Sequence, residues 1–446
     1  MKSINDLFDN DEARHAQKAL DYLDGNQIQH VIELLSDKSS GREGWKKKGL
    51  RPLYRNITKN IIHKSAMLYK NGLPQMIVED NDNYNEKSTL VFNNILDQSH
   101  FLEFMSNFDE VVRILKTAMI LTQYVEEHQA LSFDILHRGN SVVKTDPFTK
   151  IPYELVMKAG SDDEYNYFRI ITNELVSDYK EHIEDETVEL ISSEDNPYKM
   201  IPLTTFHDTN VPRTGYWSPA SKDLTLFNDV LNMHMVDLEY AAGWMVHQEL
   251  ITNCTIIDPE DGEEVADNTI VGGLGKIVHL DTNGIDSPLY EYRGPSIDLT
   301  QSHELMTNWT KDIATDWSVT IKQEGVATSG VSGFSLIVAE KDNLELREQR
   351  QRMQENGLKR FYQVFKTIYN MHNVQVFSDS SELQVEFKPA VLPFDTEKSE
   401  RVWTEKIAAG KASIEDYLQK THDITREEAE EMSERIRADN FNSDIV

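Results

Sequence analysis

Cysteine is nearly missing from this 446-residue chain, where Cys254 stands alone. One thiol excludes an internal disulfide framework and any cysteine-based zinc site, and it fits synthesis in a reducing compartment. Long apolar runs are missing too. No stretch approaches the roughly 18 apolar residues of a membrane span, so no membrane anchor is expected. The most apolar segment, 111–124, is interrupted by Arg113, Lys116 and Gln123 and reads as a buried helix. The N-terminus is polar and acidic, without the apolar core of a signal peptide.

Positive charge is scarce. The 45 Lys and Arg residues face 76 Asp and Glu, a formal net charge of −31. That balance argues against a simple basic surface for nucleic acid. It permits a surface that repels DNA and lets it slide, and it also aids solubility. The local exception is 42–64, with Lys46, Lys47, Lys48, Arg51, Arg55 and Lys59. This basic island reads either as a solvated face pairing with acidic neighbours or as a contact for DNA or a partner.

Catalytic signatures are absent. There is no GxSxG or HExxH. GGLGK at 272–276 has too short a spacer for a phosphate loop, and Lys276 is followed by Ile rather than Ser or Thr. His234 and His247 lie thirteen apart on one helical pattern, not at metal-pair spacing. No catalytic residue, metal ligand or cofactor is assigned, and no enzyme activity is expected.

The patterning that is present indicates an α+β protein, mainly helical, with two to four structural units. Residues 1–40 read as helical, on Leu20, Tyr22, Leu23, Ile28, Val31, Ile32 and Leu35. A helix over 60–69 should stop at a cap formed by Asn71-Gly72. A helix pair over 88–127 should follow. Short strands then fall at 130–136, 141–144, 155–159, 167–172, 187–191 and 199–207. Ser218-Pro219 marks the start of a helix over 220–250, which would span roughly 45 Å. Leu224, Phe227, Leu231, Met235, Leu238, Ala242 and Met245 form its apolar face. The turn-rich block 251–295 reads as a small β insert. A second amphipathic helix covers 298–320, where Leu305, Trp309, Ile313, Trp317 and Ile321 recur every fourth position. At that spacing the two tryptophans read as packing residues rather than base-stacking ones.

Next comes a small-residue loop, KQEGVATSGVSGFSL at 322–336. A long helix over 335–370 follows, charged in its first part and apolar from Leu358 onward, with a bend expected at Gly357. Segments 374–377 and 383–387 read as a hairpin-like pair, and 398–446 as two or three short charged helices.

The order of strand, long helix, β tip, second helix, small-residue loop and long bent helix resembles the portal proteins of tailed bacteriophages. IPLTTFHDTNVPRTGYWSPASKDLTLFNDVLNMHMVDLEYA resembles the family's strand-then-helix passage into the stem. SGVSGFSL before a long helix resembles its tunnel loop, and IAAGKASIEDYLQKTHDITREEAEEMSERI its closing helices. The N-terminal part matches only loosely.

The resemblance implies a wing, stem, clip and crown. The wing would combine 1–219 with 333–398. The stem would be helices 220–250 and 297–321, the clip 251–296, the tunnel loop 322–332 and the crown 399–446. It implies a ring of twelve copies at a capsid vertex of the virion, assembled in the host cytoplasm, through which double-stranded DNA is packaged and ejected. Capsid and scaffold proteins, terminase and a head–tail adaptor would be its partners. Lys322, Gln323, Thr328, Ser329 and Ser332 would face the DNA channel, while Leu305, Trp309, Ile313 and Trp317 would pack the stem. The alternative reading is a non-viral cytoplasmic helical scaffold or adaptor.

Overall fold

A computed structural model describes residues 3–38, 44–47, 49–81, 83–213, 215–246, 298–319 and 333–388. It also describes short strands within 249–293 and most of 403–435. The chain divides into two compact units, one of residues 1–322 and 342–388, the other of 323–341 and 389–446.

The first unit opens with helices α1 (Asp11–Asp24), α2 (Ile28–Lys38), α3 (Gly44–Lys47) and α4 (Ile57–Ser65). Gly25, at φ +90°, ends α1 in the left-handed region that glycine adopts at no steric cost. Strands β1 (Gln75–Asp80) and β2 (Asn83–Tyr84) lead to α5 (Glu86–Gln98) and α6 (Phe101–Leu115). Three further strands are β3 (Thr117–Val125), β4 (Ala130–Leu136) and β5 (Ser141–Thr145). β6 (Pro152–Ser161), β7 (Tyr165–Thr172), β8 (Leu175–His182) and β9 (Val188–Asp195) extend β5 into a five-stranded antiparallel meander. β10 (Leu203–His207) and β4 flank β3 in a three-stranded sheet.

Helix α7 (Lys222–Val246) then runs into a nested pair of two-stranded ladders. β11 (Glu249–Thr252) pairs with β14 (Tyr290–Arg293), and β12 (Thr255–Ile257) with β13 (His279–Asp281). Helix α8 (Leu299–Asp316) returns, its first turn capped by Asp298, which accepts from Thr300 N and Gln301 N. From Asp342 onward the long helix α9 (Gly333–His372) belongs to this unit, and β15 (Ser381–Glu386) completes it. In the second unit, Ser413 Oγ accepts from Asp416 N at 3.1 Å and starts α10 (Ile414–His422). Tyr417 on α10 meets Trp403 edge-on at 5.7 Å.

An aromatic core holds the first unit together. Phe101, Phe108, Phe206, Phe361, Tyr362 and Phe365 are all fully buried within it. Phe92 stands perpendicular to Phe365 at 4.8 Å, and Phe108 to Phe206 at 5.0 Å, the edge-to-face geometry that ring quadrupoles favour. A second core gathers Ile61, Ile62, Ile114, Leu115, Leu224 and Leu231 from α4, α6 and α7.

Several sequence expectations are corrected. Residues 117–125 form β3, not the second half of a helix. Lys116, at φ +64°, ends α6, and residues 117–122 are buried throughout. A strand covered on both faces has no alternation to distinguish it from a buried helix. Helix α4 ends at Ser65 rather than at Asn71-Gly72, and the Ser65 carbonyl at its end accepts from Arg350 Nη1 at 3.1 Å. Helix α7 starts at Lys222, three residues past Pro219. β15 pairs with β1 along its length, not with 374–377. Those residues are held as a loop by Asn370, whose side-chain Oδ1 accepts from Val376 N and Phe377 N.

Gly357 has a packing reason of its own. A Cβ built there would lie 2.3 Å from two ring carbons of Phe206. In an unobstructed helix Gly→Ala stabilises by about 1 kcal/mol. Against a fully buried ring, overpacking costs about 1–3 kcal/mol. Gly357→Ala should therefore lower stability in urea unfolding, and a gain would contradict the close approach.

Candidate functional site

Helix α7 is seated by polar groups rather than by a plain apolar stripe. Asn228 and Asn232 are fully buried. Asn228 Oδ1 accepts from Ile57 N at 2.9 Å and Thr58 N at 3.0 Å, and its amide donates to the Arg55 carbonyl. This side chain thus caps the N-terminus of α4 from another element, satisfying donors that a helix start leaves orphaned. Asn232 Oδ1 accepts from Arg55 N. Asp229 binds Lys18 Nζ at 2.6 Å and accepts the Tyr22 hydroxyl proton. Lys38 and Arg51 pair with Asp237 and Glu239 further along α7. Arg51, from the basic island, therefore meets one acid of this helix, Glu239.

The base of the α7–α8 hairpin meets a buried cluster of five charged side chains. Asp208, one residue beyond β10, is at its centre. Its Oδ1 accepts from Arg350 Nε at 2.6 Å. Its Oδ2 accepts from Arg113 Nη1 at 2.7 Å and Lys116 Nζ at 2.8 Å. Arg350, only 1% exposed, also binds Asp109 at 2.5 Å. Arg113 donates to Ser65 Oγ and to the Trp317 carbonyl. The Trp317 ring lies 4.6 Å from the Arg113 guanidinium and 4.4 Å from Lys116 Nζ, within cation–π range. Its indole N–H donates to Asp223 at the start of α7. One cluster therefore ties α4, α6, α7, α8 and α9 together.

Burial alone would push the Asp208 carboxyl up, but Arg350, Lys116 and Arg113 outweigh it and hold the group well below the usual carboxylate range. Asp109 shifts the other way, since burial outweighs its partner Arg350. Burial lowers both Arg113 and Lys116. For Arg350 the two carboxylates prevail over burial, and its affinity for the proton rises. The ionised Arg350–Asp208 pair anchors the cluster.

The stem-packing residues form a gradient along α8. Leu305 is exposed, Trp309 is half-buried with its ring 5.2 Å from His234 of α7, and Ile313 packs against the second core. Trp317 is buried at the base. The channel candidates Lys322, Gln323, Thr328, Ser329 and Ser332 lie outside the described residues, as does Ile321. GGLGK and His247 do too.

The charge cluster was missed in the sequence, although half of it left a signal. Arg113 and Lys116 interrupt the most apolar stretch, where an unpaired charge is too costly to keep. Arg350 left none. It lies in a run of α9 that looks like a solvated surface, yet Asn343, Arg347, Arg350 and Gln354 form a buried polar stripe. That stripe continues straight into Leu358, Phe361, Phe365 and Ile368.

Among the described residues no group of three or more His, Cys, Asp or Glu is placed to hold a metal ion. No described helix is long and apolar enough to cross a membrane.

A family model described as "Phage portal protein, SPP1 Gp6-like" matches residues 9–440. No curated protein matches the chain. Similar solved structures include one described as the virion of a native gene transfer agent particle. It is 10% identical, covering 90% of this chain and 94% of that one, with a TM-score of 0.45. Another is the neck of an empty gene transfer agent particle computed with C6 symmetry. It is also 10% identical, covering 84% and 91% of the two chains, with a TM-score of 0.47. Likenesses this distant say nothing of function.

Two outcomes follow from the cluster. Asp208→Asn leaves three buried cations facing one carboxylate, and unfolding free energy should fall by about 3–5 kcal/mol. A loss below 1 kcal/mol would show that the cluster is not a clamp. His207, buried beside Asp208, is held to about 4 by burial, with a smaller push from Arg360. The unfolded histidine takes its proton near pH 6.5, so stability from neutral His207 is complete above that pH. It is lost as pH falls toward 4. His207→Gln should flatten the stability profile between pH 6.5 and 4, and an unchanged slope would contradict this.

Proposed function

The chain belongs to the SPP1 Gp6-like phage portal protein family, and on that premise we propose that it assembles as a closed ring at a capsid vertex. Double-stranded DNA is packaged and later released through the central opening. The protein carries out no catalysis. The packaging ATPase is a separate partner docking on the β tip between α7 and α8, which serves as the clip. Head–tail adaptor proteins take the same end after packaging, and capsid and scaffold proteins meet the wing. Helices α7 and α8 are the stem, residues 322–332 the tunnel loop, and 399–446 the crown.

The observation that carries this reading is the α7–α8 hairpin itself, rooted on the buried charge cluster and leading directly into 322–332 and α9. Its outer surface supports the ring. Leu226 and Val230, one turn apart on α7, are 55% and 49% exposed, and Leu305 on α8 is 46% exposed. In a ring, neighbouring copies would cover these residues under closed symmetry.

The net charge of −31 supports a channel that does not grip its cargo. Within the loop, Thr328, Ser329 and Ser332 supply weak, sequence-blind hydrogen bonds to phosphates. Lys322, repeated around the ring, makes a cationic belt, with Gln323 beside it.

Removing residues 326–332 separates the conduit from a mere scaffold. The deleted protein should still form rings by mass measurement, while packaging or retention of DNA in particles is lost. Unchanged DNA content in particles carrying the deletion would overturn the loop's role.

A further inference from the structure

The basic island keeps much of its charge unanswered in the folded chain. From Gly44 to Val78 the sequence has no Asp or Glu, although the whole chain holds 76. Arg51 reaches Glu239 only at 3.8 Å, and His63 takes Glu110. Arg55, Lys59 and Lys64 are exposed, and their side chains have no ion pair or hydrogen bond among the described residues. The fold lines them up. Ile57, Ile61 and Ile62 bury one face of α4, which turns Lys59, Asn60, His63 and Lys64 to the other. Arg55 stands four residues before Lys59, beside Tyr54, which is 45% exposed.

Helix α8 carries the opposite face. Glu304, Asn308, Asp312 and Asp316 recur every fourth residue and are all exposed, with the exposed Leu305 beside them. Among the described residues none of these acids has a side-chain ion pair or hydrogen bond. The half-buried Lys311, at the margin of that face, is the one lysine of α8. Both faces are firmly placed, since α4 and α8 each pack on α7. No described ion pair joins the two faces within one chain.

We propose that the cationic face of α4 in one copy docks on the acidic face of α8 in the next, so that charge sets the direction of assembly. The inference rests on the ring reading given above. A ring of identical copies is heterologous, each copy meeting its two neighbours through two different surfaces. Like faces cannot serve, because α4 on α4 or α8 on α8 would set like charges together. Tyr54 and Leu305 give the contact apolar surface between the charges. Duplex DNA is a poorer occupant for the α4 face. Proteins that hold it neutralise about 6–10 phosphates, more than Arg55, Lys59 and Lys64 supply, and the net charge of −31 opposes its approach.

Charge reversal with rescue tests this. One variant carries Arg55→Glu and Lys59→Glu, at the N-terminal end of α4, and the other Asp312→Lys and Asp316→Lys, toward the C-terminal end of α8. The helix dipole favours the new charge at each end, so folding is spared. Light scattering follows the mass of the full-length chain against protein concentration at low salt. Each variant alone should need about tenfold more protein to assemble, and the chain carrying all four changes should assemble nearly as the unaltered one does. The proposal is overturned if neither variant is weakened, or if combining the changes restores nothing. It is equally overturned if the α4 variant assembles normally but loses affinity for a short DNA duplex, which would make nucleic acid the occupant. An unaltered chain that stays monomeric overturns the ring reading and this contact together, whereas rings indifferent to the reversals overturn the contact alone.

Discussion

The ionised Asp208 carboxylate is the constraint on which the arrangement of helices depends. Three cations converge on this buried carboxylate: Arg350 from α9, and Arg113 and Lys116 from the end of α6. Desolvating so many charges is expensive, and the attraction offsets that cost only when every partner is in register. The cluster therefore contributes geometry more than net stability. Asp208 itself is fixed by the ladder beneath it. β10 pairs with β3 up to His207 opposite Thr117, and Asp208 N then donates to the Lys116 carbonyl at 3.1 Å. The left-handed Lys116 that ends α6 thus sets both the start of β3 and the position of the carboxylate.

From that point the geometry propagates outward. Arg113 and Lys116 stack on Trp317, which closes α8, and Trp317 reaches Asp223 at the start of α7. The two hairpin helices are pinned at one end, while their far ends continue into the β tip. Asn228 and Asn232 fix the rotation of α7 against α4 through hydrogen bonds that a slipped helix would lose. A polar inner face of this kind specifies one register where an apolar stripe would accept several. Leu226, Val230 and Leu305 stay exposed on these two helices.

The sequence made the hairpin legible and the joint beneath it nearly invisible. The helix within 298–320 and strand 130–136 stand where patterning put them, and β12 and β13 fall inside the block 251–295 that reads as a β insert. Patterning works there because one face of each helix is buried and the other is not. It failed from Thr117 onward, where residues 117–122 are buried on both faces and show no period. It failed again at Ser65, where the helix ends and the carbonyl meets Arg350, 285 residues away. The candidate site divides the same way. Trp317 could be read as a packing residue from spacing, but its cationic partners come from a helix about 200 positions earlier. Arg350 is indistinguishable in sequence from the solvated charges around it. Gly357 shows the converse: its presence was noted, but its reason, the ring of Phe206, is set by a distant strand.

The account as a whole stands on closed assembly around an axis. Electron imaging of the purified, full-length chain in negative stain, with its mass measured in parallel, tests this most directly. The account predicts rings with an open axial hole and a mass of twelve subunits. A stable monomer at every salt concentration would contradict it.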